Sequence, residues 1–416
     1  MHQTNQILDH IFRHEYGKIV AILVHKFGTQ SIERIEDVVQ DAFLKAMKIW
    51  GYKEIPDNPT AWLLRVSSNG LIDVFRKEKK IQEHDQIHDL LSSLSVDDKE
   101  ISLDNVVNDS QLKMIFACCN PSLSTENQII LSLKLIGGFS NKEISRALLK
   151  KEEAVAKSFT RAKKKFKESI KTLDIPVEMG LSSRINIVLK VIYLLFTEGY
   201  TASTGEGIIK RDICYEAIRL ALLLLEKKST NTSEGHALIA LMCFHTSRFD
   251  ARIDNRNELI DLEHQNRRLY NKELIQIGMR HLYEAKERSS KNPSYYLQAA
   301  VSYYYCDASS FSKIEWESIL KLYDLQLKYA NSPIVRLNRI VPLYKVYGLE
   351  IGLETLLAMN REGELKNNAL FYSLKAQILN ELGKAKEAKK ELFIAIDLTK
   401  NEMQKKHLIK KRKALK

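Results

Sequence analysis

The sequence predicts an all-α fold: two small helical domains, the second a helix-turn-helix, and then a longer helical domain. Three observations carry that expectation. Proline is scarce, at 7 of 416 residues. Apolar residues recur at helical spacing along most of the chain, including its polar stretches. Glycines and capping residues punctuate these segments, as at Gly28, Gly137-Gly138 and Ser140-Asn141-Lys142-Glu143. With 44% hydrophobic and 28% charged residues, the chain has the composition of a soluble protein that can bury a core. The longest apolar stretch, Ile185 to Phe196, is broken by Asn186 and Lys190 and falls short of a membrane span.

The first predicted helix runs from about Asn5 to Phe27 and stops at Gly28. The second, Ser31 to Trp50, carries Ile35, Val38, Val39, Ala42, Phe43, Ala46, Ile49 and Trp50 on its apolar face. Its other face holds Glu33, Glu36, Asp37, Gln40 and Asp41, toward the end where the helix dipole favours acids. A solvated outer face explains that pattern as well as a docking surface does. After a loop from Gly51 to Asn58, Pro59 begins a helix that reaches Lys80, with Leu64, Ser68, Leu71 and Phe75 inward. Tyr52, Lys53, Trp62, Arg65, Asn69, Arg76 and Lys77 then form an aromatic and basic set suited to unpaired bases and phosphates. The alternative for Trp62 is simple packing between helices.

Residues 81–109 are acidic and read as a linker, with helices resuming near Ser110. A helix opened by Ser124 reaches Ile136. The capped helix after Ser140 turns Ile144, Ala147 and Leu148 inward, and the turn Lys150 to Glu153 leads to a second helix with Val155, Phe159, Ala162 and Phe166 inward. Capped helix, tight turn and longer basic helix is the helix-turn-helix order. Lys157, Arg161 and Lys164 lie on the outer stripe, flanked by Ser158 and Lys165, a surface suited to the major groove. Residues 142–171 hold eleven Lys/Arg against four Glu, which weighs against a plain helical hairpin. The overall charge of +12 is by itself only a weak sign of a polyanionic partner.

From Ser183 helical segments follow one another with small residues at their crossings. Ala376, Gly383, Ala388, Leu392 and Ala395 match small and apolar positions of a tetratricopeptide-like repeat, although Lys400 stands where the closing proline is expected. Ala300, Asn338 and Ala376 recur at 38 residues, a longer period than the usual repeat. Such stacked helices form binding scaffolds. Lys405 to Lys416 reads as a solvated tail. The five cysteines (118, 119, 214, 243 and 306) include no CxxC and no secretion signal precedes them, so reduced, buried thiols of a cytoplasmic protein are expected, with no metal site. HExxH, GxSxG and a phosphate loop ending in Lys-Ser/Thr are all absent, and no enzymatic activity or cofactor is expected.

Two segments resemble the two domains of extracytoplasmic-function sigma factors of the sigma-70 family. The first is Ile35-Glu36-Asp37-Val38-Val39-Gln40-Asp41-Ala42-Phe43, with Pro56-Asp57-Asn58-Pro59-Thr60-Ala61-Trp62-Leu63-Leu64 and Leu71-Ile72-Asp73-Val74-Phe75-Arg76. The second is Leu135 to Ser140 with Glu143-Ile144-Ser145-Arg146-Ala147 and Arg161-Ala162-Lys163. Phe116 to Pro121, Thr197 to Ser203 and Leu337-Asn338-Arg339 are similar to the subgroup with a long tetratricopeptide-like C-terminal extension. Departures are Asn120 where that subgroup commonly has His, Gln265-Asn266-Arg267-Arg268-Leu269-Tyr270 in place of Gln-Asp-Arg-Ser-x-Trp, and Ser158 in place of a frequent Arg.

The resemblance implies a factor that guides core RNA polymerase to promoter DNA. Residues 1–80 would be sigma region 2, docking on polymerase through Glu36, Asp37, Gln40 and Asp41. That domain would engage the −10 element through Tyr52, Lys53, Trp62, Arg65, Asn69, Arg76 and Lys77. Residues 110–175 would be sigma region 4, reading the −35 element through Lys157, Ser158, Arg161, Lys164 and Lys165. Residues 183–416 would be an extension through which a regulatory protein or signal acts. A DNA-binding regulator that does not replace a sigma factor is the competing reading.

Overall fold

In the computed structural model, residues 2–50, 55–79, 100–148, 150–175, 181–201, 211–256, 258–288, 293–361, 363–399 and 401–415 are described. Among them the fold is all-α, with an isolated antiparallel bridge between Ile253 and Leu259 and no strand. No helix of the described residues is long and apolar enough to cross a membrane. The chain divides into two compact units, Met1–Gly199 with Lys210–Thr230, and Tyr200–Ile209 with Asn231–Lys416.

The first unit opens with α1 (His2–Phe27), α2 (Ile32–Trp50) and α3 (Pro59–Lys79). Gly28 ends α1 at φ 82°, a conformation costly for a side-chain-bearing residue. Ile35, Val38, Val39, Ala42, Phe43, Ala46 and Trp50 are buried on α2, as the spacing predicts, whereas Ile49 is exposed. Asn58 caps α3 by accepting from the Ala61 amide at 2.9 Å, and Leu63, Leu64, Leu71 and Ile72 point inward. Phe75 is only half-buried, packed on Phe27 at 6.1 Å between ring centroids.

Next come α4 (Glu100–Cys118), α5 (Thr125–Leu135), α6 (Asn141–Ala147) and α7 (Glu152–Ser169). Helix α4 starts ten residues earlier than expected near Ser110, so the acidic stretch from Glu100 onward is helical. The chain leaves α5 through Gly138 at φ 63°, a left-handed position that glycine tolerates. The capping box then forms as expected. The Ser140 hydroxyl accepts from the Glu143 amide at 3.2 Å, while the Ser140 amide donates to Glu143 Oε2 at 2.9 Å. Close packing of α1 on this corner depends on Gly17, because a Cβ there would meet the Ile136 carbonyl oxygen at 2.0 Å.

Helices α8 (Leu181–Thr201) and α9 (Arg211–Leu225) complete this unit, apart from the last two residues of α8. The first unit therefore takes in α8 as far as Gly199, and α9. The reason is visible in the contacts: Arg219 donates to Asn108 and Gln111 on α4, and Lys227 pairs with Asp109 at 2.9 Å.

The second unit centres on α10 (Ser233–Thr246), buried on nearly every side, followed by the short α11 (Phe249–Arg252). Helices α12 (Lys272–Glu287) and α13 (Ser294–Asp307) pack on α10. Gly278 permits the α10–α12 crossing, since a Cβ there would lie 2.7 Å from the Phe244 ring. A run of neighbouring helices follows: α14 (Trp316–Tyr329), α15 (Pro333–Tyr347), α16 (Leu349–Ala358), α17 (Ala369–Glu381), α18 (Ala385–Leu398) and α19 (Glu402–Ala414). The repeat residues Ala376, Ala388, Leu392 and Ala395 share one core between α17 and α18, with Gly383 at φ 77° in the turn. Lys400 lies outside the described residues.

The expected solvated tail is instead helix α19. Leu408 is buried against the α17–α18 core, and His407 and Lys411 both reach Asp261, each at 3.0 Å. Burial alone would raise the Asp261 carboxyl, but the His407 hydrogen bond and the Lys411 charge outweigh it and hold the pKa at about 2. A lysine-rich composition looked like solvated tail because the apolar contact depends on one leucine and the charges have partners 146 residues away.

Replacing Gly17 by Ala should destabilise the chain by about 1–3 kcal/mol, because the added methyl meets backbone rather than a flexible side chain. Urea unfolding followed by circular dichroism measures this, and an unchanged midpoint would contradict the close approach.

Candidate polymerase and promoter-DNA interface

The acidic face of α2 is split by burial. Asp37, Gln40 and Asp41 are exposed, whereas Glu36 is buried to 8%. The Glu36 carboxylate is held by the Lys163 ammonium of α7 at 2.6 Å. It also lies against the Tyr16 phenol, whose pKa is pushed up by burial and by the Glu36 and Asp37 charges. One turn away, Lys167 pairs with Glu33 at 2.7 Å, while Gln30 donates to the Lys167 carbonyl at 2.7 Å. Thr29 donates to the Ile170 carbonyl, closing the contact. The start of α2 and the end of α7 are thus joined by two ion pairs and two side-chain-to-backbone bonds.

Two further residues on the α2 surface escaped the sequence reading. Leu44 and Met47 are 54% and 48% exposed, one and two turns beyond Gln40 on the same side as Asp37 and Asp41. Together these make an exposed strip with acids and amide at one end and apolar side chains at the other. The available signal was that 44 and 47 are apolar but fall outside the buried stripe.

On α3, Arg65, Asn69, Arg76 and Lys77 are all exposed, and Arg76 lies 3.9 Å from Asp73. Trp62 packs on Trp50 with ring centroids 5.2 Å apart, so its ring is engaged between helices α2 and α3 while remaining only partly buried. Tyr52 and Lys53 lie outside the described residues.

On α7, Lys157, Arg161, Lys164 and Lys165 are exposed along one side. Ser158 is a correction: at 6% exposure it faces the core and does not flank the outer stripe. It follows Val155 by three residues and precedes Ala162 by four, which puts it on their buried face. Phe159, expected inward, is half-buried instead, with the Lys134 and Lys163 ammonium groups 5.4 and 5.0 Å from its ring centre. Burial lowers the Lys134 pKa, and the nearby Glu36 charge opposes that shift. The exposed set on α7 is purely cationic and carries donors able to reach phosphates and guanine edges. Among the described residues, no group of His, Cys, Asp and Glu is placed to hold a metal ion.

Comparison with known proteins fits this geometry. Residues 11–81 match the family model for Sigma-70 region 2, which spans α1 to α3. Residues 184–286 match a family of unknown function, DUF6596. An uncharacterized protein of Rhizobium meliloti (strain 1021) is 32% identical over 377 residues, covering 89% of this chain and 88% of that protein. No solved structure matches. The chain belongs to the same family as that rhizobial protein, and its residues 11–81 carry a sigma-70 region 2 domain.

Proposed function

We propose that this chain is a sigma factor of the extracytoplasmic-function type, which binds core RNA polymerase and directs initiation at promoters with −10 and −35 elements. The observation that carries this reading is the ordered pair of surfaces, acidic on α2 and cationic on α7, in a chain whose residues 11–81 match Sigma-70 region 2. In this reading 1–80 engages polymerase and the −10 element, 81–109 connects, and 110–175 reads the −35 element. The helices from 183 onward form a tetratricopeptide-like regulatory or partner-binding extension, whose first two pack with the preceding domains. No covalent step is assigned to the chain. Its contribution is differential binding, and RNA synthesis belongs to the polymerase.

Asp37, Gln40 and Asp41, joined by Leu44 and Met47, supply a docking strip for a basic and apolar helical partner surface. Glu36 has a second condition. At 8% exposure, with its carboxylate on Lys163, it is open to a polymerase cation only when the α2–α7 contact loosens. Arg65, Asn69, Arg76 and Lys77 serve the −10 strand, and Lys157, Arg161, Lys164 and Lys165 serve the −35 duplex. Tyr52 and Lys53 extend the −10 surface, with Trp62 positioning α3 through Trp50.

Reversing Asp37 and Asp41 to Lys should weaken binding to core RNA polymerase by tenfold or more, on the order expected for like charges brought together. DNA binding by the same variant should persist. Retained polymerase binding in a pull-down titration would refute the docking strip. For α7, Arg161→Ala and Lys157→Ala are compared on matched and altered −35 sites by footprinting. A base contact costs about 1–3 kcal/mol on the matched site alone, and a phosphate contact costs similarly on all sites. Unchanged footprints everywhere would remove α7 from DNA recognition. A double-mutant cycle of Glu36→Gln with Lys163→Met should give a coupling of about 0.5–3 kcal/mol in urea unfolding, as expected for contacting, partly buried charges. The Glu33–Lys167 pair, with Glu33 53% exposed, should stay below about 1 kcal/mol.

A further inference from the structure

Two stretches that the proposed function leaves unused meet in the second unit. Tyr200 comes from the last turn of α8, and Gln265, Arg267 and Tyr270 come from the loop before α12. Around them gather Arg248, which precedes the short helix α11, and Arg252, its last residue. Arg248 is the buried arginine of the cluster, 9% exposed. Its Nη2 lies 3.5 Å from the Tyr200 hydroxyl and 3.4 Å from His245 Nδ1. Arg252 lays its guanidinium 3.8 Å above the Tyr200 ring and donates to the Tyr200 carbonyl at 2.8 Å. Arg267 donates through Nη1 to the carbonyls of Tyr305 and Ala308, with its guanidinium 5.1 Å from the Tyr270 ring. Tyr270 is felt by both Arg248 and Arg267, which places the two cations around one phenol.

The charge balance of this cluster is unusual. Arg219, also partly buried, has a carboxylate partner in Glu216 at 2.8 Å. The ionisable groups around Arg248 are instead Tyr200, Cys306, Tyr270, Tyr305 and His245, all neutral at pH 7. Among the described residues neither Arg248 nor Arg267 has a carboxylate partner. Two donors also remain unused: Arg248 Nε and Arg267 Nη2 are buried and bond to nothing. A buried guanidinium lacking a counter-charge is costly, and each unmet N–H adds to that cost. Carbonyl and phenol dipoles offset part of it but leave those two N–H groups unsatisfied. The half-buried His245 beside them is held neutral, at a pKa of about 3, by burial and then by the Arg248 and Arg252 charges.

We propose that Arg248 and Arg267, with the half-buried Arg252 at the edge, form a binding site for a small molecule bearing a carboxylate or phosphate oxyanion. The planar guanidinium presents paired donors that match such an oxyanion, and it does so better than a lysine would. Tyr200, Tyr270 and Tyr305 supply hydroxyls and ring faces to the rest of the ligand. Partial exposure of Arg252 and Arg267 gives access from solvent. The site takes an input from the cell into the extension, and its existence does not depend on the transcription reading.

The test is thermal unfolding and titration calorimetry of the full chain with sodium phosphate and, separately, sodium acetate, at ionic strength matched with sodium chloride. A saturable rise of about 2–4 °C at ten times the dissociation constant is expected for at least one of the two anions. Phosphate alone acting identifies a phosphate-type ligand, and acetate alone a carboxylate-type one. Arg267→Gln and Arg248→Met should each abolish the heat and the rise, while Arg412→Gln, on α19, should keep both. Should Arg248→Met fail to fold, Arg267→Gln and Arg267→Lys carry the test, the lysine variant binding at least tenfold more weakly. No anion-specific response in the wild-type chain, or a response kept by Arg267→Gln, overturns the proposal.

Discussion

The ion pair between Glu36 and Lys163 is the constraint around which the first unit is organised. It joins a helix whose surface is acidic to one whose surface is cationic, and it does so where both side chains are nearly out of water. At that depth either charge alone would be expensive, so each helix fixes the position of the other. Thr29, Gln30, Glu33 and Lys167 extend the contact to the surface, where solvent weakens each addition. Attraction between the two functional faces is thus satisfied internally, and any external partner of Glu36 competes with a partner already in place.

The second unit handles charge differently. Asp261 at its surface is held twice, by a hydrogen bond to His407 and by the Lys411 charge, which docks α19. Arg248 in its interior is surrounded by phenols, an imidazole and a thiol. Both are ionic groups whose meaning depends on neighbours far away in sequence. Only the fold separates the compensated from the uncompensated case.

Periodicity made much of this legible. The α2 stripe, the Ser140–Glu143 capping box and the buried Val155, Ala162 and Phe166 are local patterns, and each appears as read. The failures are at positions where a neighbouring helix decides. Ser158 is polar yet buried because its helical phase puts it between Val155 and Ala162, and phase outweighs polarity for so small a side chain. Ile49 is apolar yet exposed because it falls off the buried Phe43–Ala46–Trp50 line, while Trp50 beside it packs on Trp62. Glu36 looked equivalent to Asp37, Gln40 and Asp41, and its pairing 127 residues away left no mark in its local context. For the same reason Arg248 carried no signal at all: its neighbours come from four separate stretches of chain.

All five cysteines are buried, and burial raises the thiols of Cys119 and Cys243 to about 12. Thiol-modifying reagents need an accessible thiolate, so the folded chain is inert toward them until a region opens. Cys118, Cys119 and Cys214 belong to the first unit, and Cys243 and Cys306 to the second. The unmodified chain therefore carries two sets of natural reporters, and the order in which they react records which half loosens first.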